Sequence, residues 1–344
     1  MIRTVAAVVL ATGFMTSAFS TEGTAGRATL LAFSDLKGWA GDDHAAALKT
    51  FRNTCGQIDG TDWQTLCGLA GTDQQARAFF ELFFRPVLID DGDEALFTAY
   101  YEPELPAART RSGNFQYPLY RVPPEMPRGQ AWFTRRQLED QGILRGRGLE
   151  IAWLNDPVDR FFLHVQGSGR LRLTDGTFMR VGFAAKNGHP YRSVGREMAR
   201  RGALPANRVS AGNIKAWVRQ NPDAGRRYLQ HNPSYIFFRE VEIDADLGPI
   251  GAMGQSITAM RTVAVDPDFV TLGAPVWIET TGQTPLRRLM VAQDTGSAIK
   301  GAQRADIFFG SGDEAGDRAG IIRDNGRVVV LLPVERALKI TGGS

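Results

Sequence analysis

The sequence predicts a mainly β protein with helices, and three observations carry that expectation. From Thr262 onward the apolar runs TVAV, PVWI, RLMVAQ, DIFFG and RVVVLLP follow one another, each bounded by Gly, Pro or Asp, a spacing that suggests a closed barrel. In mid-chain, residues 149–154, 160–166, the run to 173 and 177–183 read as strands of a small antiparallel sheet or barrel, with Asp175-Gly176 as a turn. Helical periodicity is confined to the N-terminal region and a few central stretches, so the C-terminal third is expected to be all-β.

Taken in order, the first twenty residues combine Arg3, an apolar core from Val5 to Met15 and small residues at Ala18 and Ser20, the pattern of a secretory signal. That core is short for a membrane span of ~20 residues, and no cysteine stands near the cleavage region to be acylated. The expected location is the periplasm. Residues 43–57 place Leu48, Phe51 and Cys55 on one helical face. Thr72 with Gln75 makes a capping box for a helix through Phe79, Leu82 and Phe83 that ends before Pro86. Cys55 and Cys67, twelve apart, are the only cysteines, and in an oxidising compartment they read as a disulfide. Neither they nor the scattered His44, His164, His189 and His231 have zinc-ligand spacing.

The run 95–101 is a strand closed by Glu102-Pro103-Glu104, whose two acids read as a solvated strand end. Arg109, Arg111 and Arg121 form a surface charge face or meet an acidic ligand. Helices are expected over 134–141, from the N-cap Ser193 to Arg201, and over 211–229, followed by the strand YIFFREVEI. Gly167 and Gly169 around Ser168 would let a ligand approach the backbone, though the motif is not that of a serine hydrolase. The stretch AAKNGHPYRSVGREM gathers Lys186, Asn187, His189, Tyr191, Arg192 and Ser193, donors suited to sugar hydroxyls or amides, or simply a polar turn into a helix.

With 344 residues there is room for roughly two domains. A net charge of +3 without a run of like charges gives nucleic-acid binding no support. The chemistry points to VAQDTGSAIKGAQRADIFFG, 291–310, where Asp294 and Asp306 bound a glycine-punctuated loop, with Asp266 at an earlier strand end. Intervals of 28 and 12 residues, with Lys300 between two of the acids, match no calcium loop. A carboxyl beside other carboxylates, or half buried by Phe308 and Phe309, keeps its proton at neutral pH and can protonate a leaving oxygen. Lys300 and Arg304 would oppose this if they approached it.

In their order, FTAYYEPEL, FQYPLYRVPP, HVQGSG, AAKNGHPYRSVG, HNPSYIFF, AVDP, QDTGSAIKG and RADIFFG resemble the membrane-bound lytic murein transglycosylase A (MltA) family, whose C-terminal part is named the 3D domain after three aspartates. The resemblance implies a double-psi β-barrel with N-terminal helices, residues 21–107 and 241–344, and an inserted smaller β domain with helices, 108–240, a glycan lying in the groove between them. It implies an exo-acting peptidoglycan lyase without cofactor or metal that cleaves between N-acetylmuramic acid and N-acetylglucosamine and leaves 1,6-anhydromuramoyl ends. Asp306 takes the place of the family's catalytic acid, with Asp294 and Asp266 in support. Tyr101, Gln166, Gly167, Ser168, Lys186, Asn187 and Tyr191 are the implied substrate contacts. Peptidoglycan strands are the implied partner, with cell-wall synthesis proteins beside them, and the protein is expected to act as a monomer. Family members are often outer-membrane lipoproteins, and this chain departs from them in lacking a cysteine after its signal. Two other readings stand beside this one: a muramidase that uses water with a second acid, and a non-catalytic peptidoglycan-binding scaffold.

Overall fold

A computed structural model describes residues 26–71, 75–244, 246–282 and 285–342; the signal and Thr72 lie outside them. Strand β1 (Arg27–Leu30) pairs antiparallel with β2 (Phe84–Asp90), and between them come helices α1 (His44–Arg52), α2 (Thr61–Leu69) and α3 (Ala76–Phe83). Asp43 caps α1 by accepting the Ala46 N–H at 3.0 Å. The apolar stripe of α1 delivers Leu48 and Phe51, both fully buried, to an aromatic cluster with Trp63, Phe79, Phe80 and Phe84. Cys55, just after α1, is disulfide-bonded to Cys67 in α2, a helix that the periodicity reading left unassigned.

After β3 (Leu96–Glu102) the chain changes sheets at Pro103, a little before the expected 107/108 boundary, because β4 (Glu104–Ala108) already pairs with the second sheet. That sheet has the order β5-β6-β4-β7-β8-β9, with β5 Tyr117–Tyr120, β6 Glu150–Leu154, β7 Ser168–Leu173, β8 Phe178–Lys186 and β9 Ile236–Glu240. Helices α4 (Arg135–Asp140), α5 (Pro157–Gln166), α6 (Val194–Arg200), α7 (Ala211–Gln220) and α8 (Pro222–Leu229) pack around it. Two corrections arise here. Residues 160–166, expected as a strand, belong to α5: Asp156 caps it through the Val158 N–H at 2.7 Å and Pro157 sits at its first turn, where a missing N–H costs nothing. The helix expected over 211–229 is broken at Asn221-Pro222, since Pro222 cannot donate to the preceding turn.

The chain then returns to the first sheet through β10 (Thr262–Val265), β11 (Pro275–Thr280), β12 (Arg287–Asp294), β13 (Arg304–Ser311), β14 (Arg323–Asp324) and β15 (Gly326–Pro333). The order is β1-β2-β15-β11-β12-β10-β13-β3-β14, with parallel pairs β10·β12 and β13·β3 among antiparallel ones. This mixed, crossed arrangement fits a double-psi barrel, although among the described residues no ladder joins β1 to β14 to complete a hydrogen-bonded ring. The C-terminal third is not all-β: α9 (Asp313–Ala319) and α10 (Val334–Thr341) cover its core with Ala315, Ala319 and Ala337. No helix of the described residues is long and apolar enough to cross a membrane.

Candidate active site

Three adjacent strands bring two of the acids together. Ala264 of β10 is in register with Asp294 of β12 on one side and with Asp306 of β13 on the other. Strands stand ~4.8 Å apart, so the two aspartates emerge on one face with Cα atoms roughly 10 Å apart. Alternation explains why they face away from the core. Their neighbours Gln293, Ala305 and Ile307 point inward, and Gln293 is tied there by donating to Thr50 O at 2.9 Å and Thr54 Oγ1 at 3.0 Å. Asp294 and Asp306 keep partial exposure.

Strand β3 supplies the remaining groups. It runs parallel to β13 with Thr98 opposite Asp306 and Tyr100 opposite Phe308. Thr98 Oγ1 donates to Asp306 Oδ1 at 2.5 Å, and Arg304 Nη2 donates to that same Thr98 oxygen at 2.8 Å. Arg304 therefore touches the acid through a hydroxyl and not directly. Tyr100 donates its hydroxyl to Asp294 Oδ2 at 2.7 Å, while Asp294 Oδ1 accepts the N–H groups of Thr295 at 2.9 Å and Ala252 at 3.1 Å. The segment carrying Ala252 can come this close because Gly251 lacks a side chain: a Cβ there would meet Gln293 O at 2.8 Å.

The electrostatics separate the acids. Burial pushes the Asp306 carboxyl above its ordinary value, against the opposing Thr98 hydrogen bond and the Arg304 charge. Burial likewise raises Asp294, with the Asp306 charge adding to it and the Tyr100, Thr295 and Ala252 hydrogen bonds opposing. Tyr100, partly buried beside both, is held well above the usual phenol range by desolvation and the two carboxylates and stays a donor. Asp266 behaves differently. Its burial is outweighed by the Lys300 ammonium at 2.9 Å and the Gly301 and Asp268 N–H groups, which hold it below the usual carboxylate range. It clamps the loop that leads into β13 and makes no contact with the other two aspartates.

The expected substrate contacts divide. Gln166 ends α5 and accepts the Tyr101 N–H at 3.2 Å across the junction of the two sheets; Gly167 follows in the left-handed conformation that terminates the helix, and Ser168 opens β7. These three lie where β3 passes into the second sheet. Tyr101 itself is a correction: alternation puts its partly buried ring on the opposite face of β3 from Thr98 and Tyr100, against Gly316 of α9, and it is its backbone N–H that reaches Gln166. Asn187 is a second correction. It is fully buried, donates to Phe133 O at 2.8 Å and Pro233 O at 2.9 Å, and accepts the Tyr235 N–H at 2.8 Å, which makes it a saturated brace. Lys186 stands exposed at the end of β8, and Tyr191 is partly buried with its hydroxyl held up by that burial. Glu102, expected in solvent, is fully buried against Arg180 of β8 at 2.8 Å and accepts from Ser311, pinning the two sheets to each other. Thr98 and Tyr100 are not singled out by the sequence, although the period-two pattern of FTAYYE puts Thr98, Tyr100 and Glu102 on one face; Arg304 does oppose the rise of Asp306, as its charge would if it came near. Among the described residues no cluster of His, Cys, Asp and Glu is arranged to hold a metal.

Comparison with known proteins gives two matching family models, the MltA specific insert domain over residues 96–239 and the 3D domain over 261–332. The chain is 36% identical over 268 residues to membrane-bound lytic murein transglycosylase A of Escherichia coli K12, covering 74% of this chain and 70% of the relative. The Vibrio cholerae protein of the same name is 32% identical over 250 residues, 70% of this chain and 66% of that one. Among solved structures, a membrane-bound lytic murein transglycosylase from Agrobacterium tumefaciens superposes with a TM-score of 0.80 at 38% identity, covering 91% of this chain and 99% of that chain. E. coli MltA with bound chitohexaose superposes at 0.71 and 30% identity, with 90% and 95% covered.

Proposed function

The chain belongs to the membrane-bound lytic murein transglycosylase A family, and from that premise we propose that it cleaves the β-1,4 bond between N-acetylmuramic acid and N-acetylglucosamine with Asp306 as its acid and then its base. At the coarser level it is a lytic transglycosylase of peptidoglycan. The observation that carries the finer reading is the state of Asp306: partly exposed, held by one hydroxyl, raised by burial and touched by no cation.

A protonated Asp306 gives its proton to the leaving glycosidic oxygen. The muramoyl C6 hydroxyl then attacks its own anomeric carbon and passes its proton to the carboxylate, which restores the acid. The attack is intramolecular, so proximity supplies what a second catalytic carboxylate supplies in hydrolases. Thr98 holds the Asp306 oxygen in place, and Arg304 behind Thr98 steadies the carboxylate formed midway without trapping it as an ion pair. Asp294, fixed by Tyr100, adds negative potential near the developing oxocarbenium ion. The Nε2 group of Gln166, Ser168, Lys186 and Tyr191 are proposed to meet the glycan along the junction, an arrangement supported by the likeness to a relative crystallised with chitohexaose. An envelope location with action in the periplasm follows from the substrate and from relatives described as membrane-bound.

Asp294 stands near enough for the Asp306 charge to act on it, which keeps as a second reading a water-using muramidase, whose inverting pair would need ~6.5–9.5 Å between carboxyl groups. Against it, three donors already occupy Asp294. Digestion of purified peptidoglycan decides: anhydro ends from the parent protein and none from Asp306→Asn are expected. Hydrated reducing ends would sink the single-acid mechanism, and sacculus binding without any product would favour a scaffold.

A further inference from the structure

The inserted domain contains a cavity of about 960 Å³ on the side of its sheet carrying β5 and β6, lined by those strands, by the first turns of α5 and by parts of α4, α7 and α8. None of the groups assigned above to cleavage lines it. Its walls hold polar groups left without partners. Tyr120 and Tyr235 are 6% and 1% exposed, and neither hydroxyl has a hydrogen-bond partner among the described residues. Arg160 Nε is buried and unpaired although its Nη2 donates to Glu139 at 2.9 Å. Arg145, exposed on the wall, makes no ion pair among the described residues, and neither does the carboxylate Glu150. These groups sense one another: burial and the nearby Tyr235 and Glu150 push the Tyr120 hydroxyl up to about 12, against the pull of Arg160 and Arg145.

Unsatisfied donors beside a free cation call for a carboxylate, and Glu150 adds a place for an ammonium group. The aromatic faces that would stack on a sugar are already covered, Trp153 by Arg111 at 5.8 Å and Tyr117 by Arg160 at 6.0 Å. Other lining acids are neutralised: Glu139 by Arg135 and Arg160, Asp156 by Arg219. Helix α5 gives the cavity its relation to the cleavage site. Its first turns line the cavity, and its last residue, Gln166, is the one that meets Tyr101 at the junction. Ten residues of helix span ~15 Å, about the reach of an extended peptide of four or five residues.

We propose that this cavity binds the dipolar stem peptide carried by the muramoyl residue, taking its carboxylate on Arg145, Arg160 and Tyr120 and its diamino-acid ammonium on Glu150. The proposal rests on the peptidoglycan reading and adds a second foothold on the same strand.

Calorimetric titration of the full chain with a synthetic free stem tetrapeptide containing a diamino acid tests it, set against the same peptide amidated and N-acetylated. The free peptide is expected to bind, the capped form about tenfold or more weaker, with Arg145→Gln and Glu150→Gln each weakening the free peptide by about tenfold. Both variants keep parental melting temperatures and cleave peptide-stripped glycan at the parental rate, while subsaturating peptide-bearing strands are cut about five- to tenfold more slowly. Absence of peptide binding by the parent, equal affinity in parent and variants, or displacement of the peptide by N-acetylglucosamine oligomers would each overturn the proposal. Failure of the parent to cut stripped glycan would instead count against the transglycosylase reading, with peptide binding still read independently.

Discussion

In the six-stranded domain Glu139 lies between Arg135 and Arg160, and at the boundary Glu102 is buried against Arg180, whereas in the nine-stranded domain Asp306 and Asp294 meet only hydroxyls and backbone N–H groups. Elsewhere in that same domain Asp42 is paired with Arg261, Glu279 with Arg327 and Asp266 with Lys300. A buried carboxylate without a cation is costly, and leaving two neighbouring acids in that state, when the fold supplies arginines to others, is what the proposed holding and release of a proton by Asp306 would need. A paired acid is committed to its charge and serves structure; an unpaired one can change charge and serve chemistry.

The largest effect should come from removing the unpaired acid. Asp306→Asn is expected to lower turnover by about a thousandfold or more, since both proton transfers are lost. It should leave the fold intact and even help it. The folded-state carboxyl is raised from the ordinary 3.8, so its stability contribution is present below that pH and declines as pH rises through the folded value. Denaturation curves should therefore show Asp306→Asn more stable than the parent at pH ~7, the gap closing toward pH ~4. A variant that is less stable at neutral pH would break the contrast drawn above.

Next comes the paired acid at the boundary. Arg180→Ala strands Glu102 in the interior and should cost about 3–5 kcal/mol in urea unfolding, whereas Arg180→Ala with Glu102→Gln should recover much of that loss. Removing the disulfide through Cys55→Ser with Cys67→Ser frees in the unfolded chain a loop closed at a sequence separation of 12, and should cost about 2–3 kcal/mol while leaving turnover of the folded enzyme unchanged. The smallest effect sharpens the comparison most. Thr98→Val deletes the hydrogen bond that pulls the Asp306 carboxyl down, so its value rises further. The alkaline limb of the pH–rate profile, where the acid loses its proton, should then move to higher pH, with roughly a tenfold loss of turnover from looser positioning. A shift to lower pH would mean that Arg304 and Thr98 are not acting on Asp306 as described.

Much of this was readable beforehand, for reasons visible in individual residues. The strand runs around Asp266, Asp294 and Asp306 are local, period-two signals, and DIFFG and RVVVLLP have no competing helical reading. The stretch 160–166 misled because its apolar residues suit either structure, and the deciding Asp156-Pro157 cap lies just upstream of it. Glu102 looked solvated because its partner Arg180 is 78 residues away. Tyr101 was preferred to Tyr100 although strand alternation distinguishes them, and only the parallel pairing of β3 with β13 gives that alternation a direction.

By itself the sequence determined the types and rough limits of the strands, the two acids at the ends of the 294–306 loop, the cysteine pair and the family motifs, because each is written in short-range spacing. Tertiary structure alone decided which carboxyls are pushed up and which are held down. That depends on burial and on partners from distant segments: Thr98 and Tyr100 from β3, Ala252 from the return into the first sheet, Lys300 drawn to Asp266 and away from Asp306. A carboxyl's charge is set by everything within a few ångströms of it, and most of those atoms belong to residues far away along the chain.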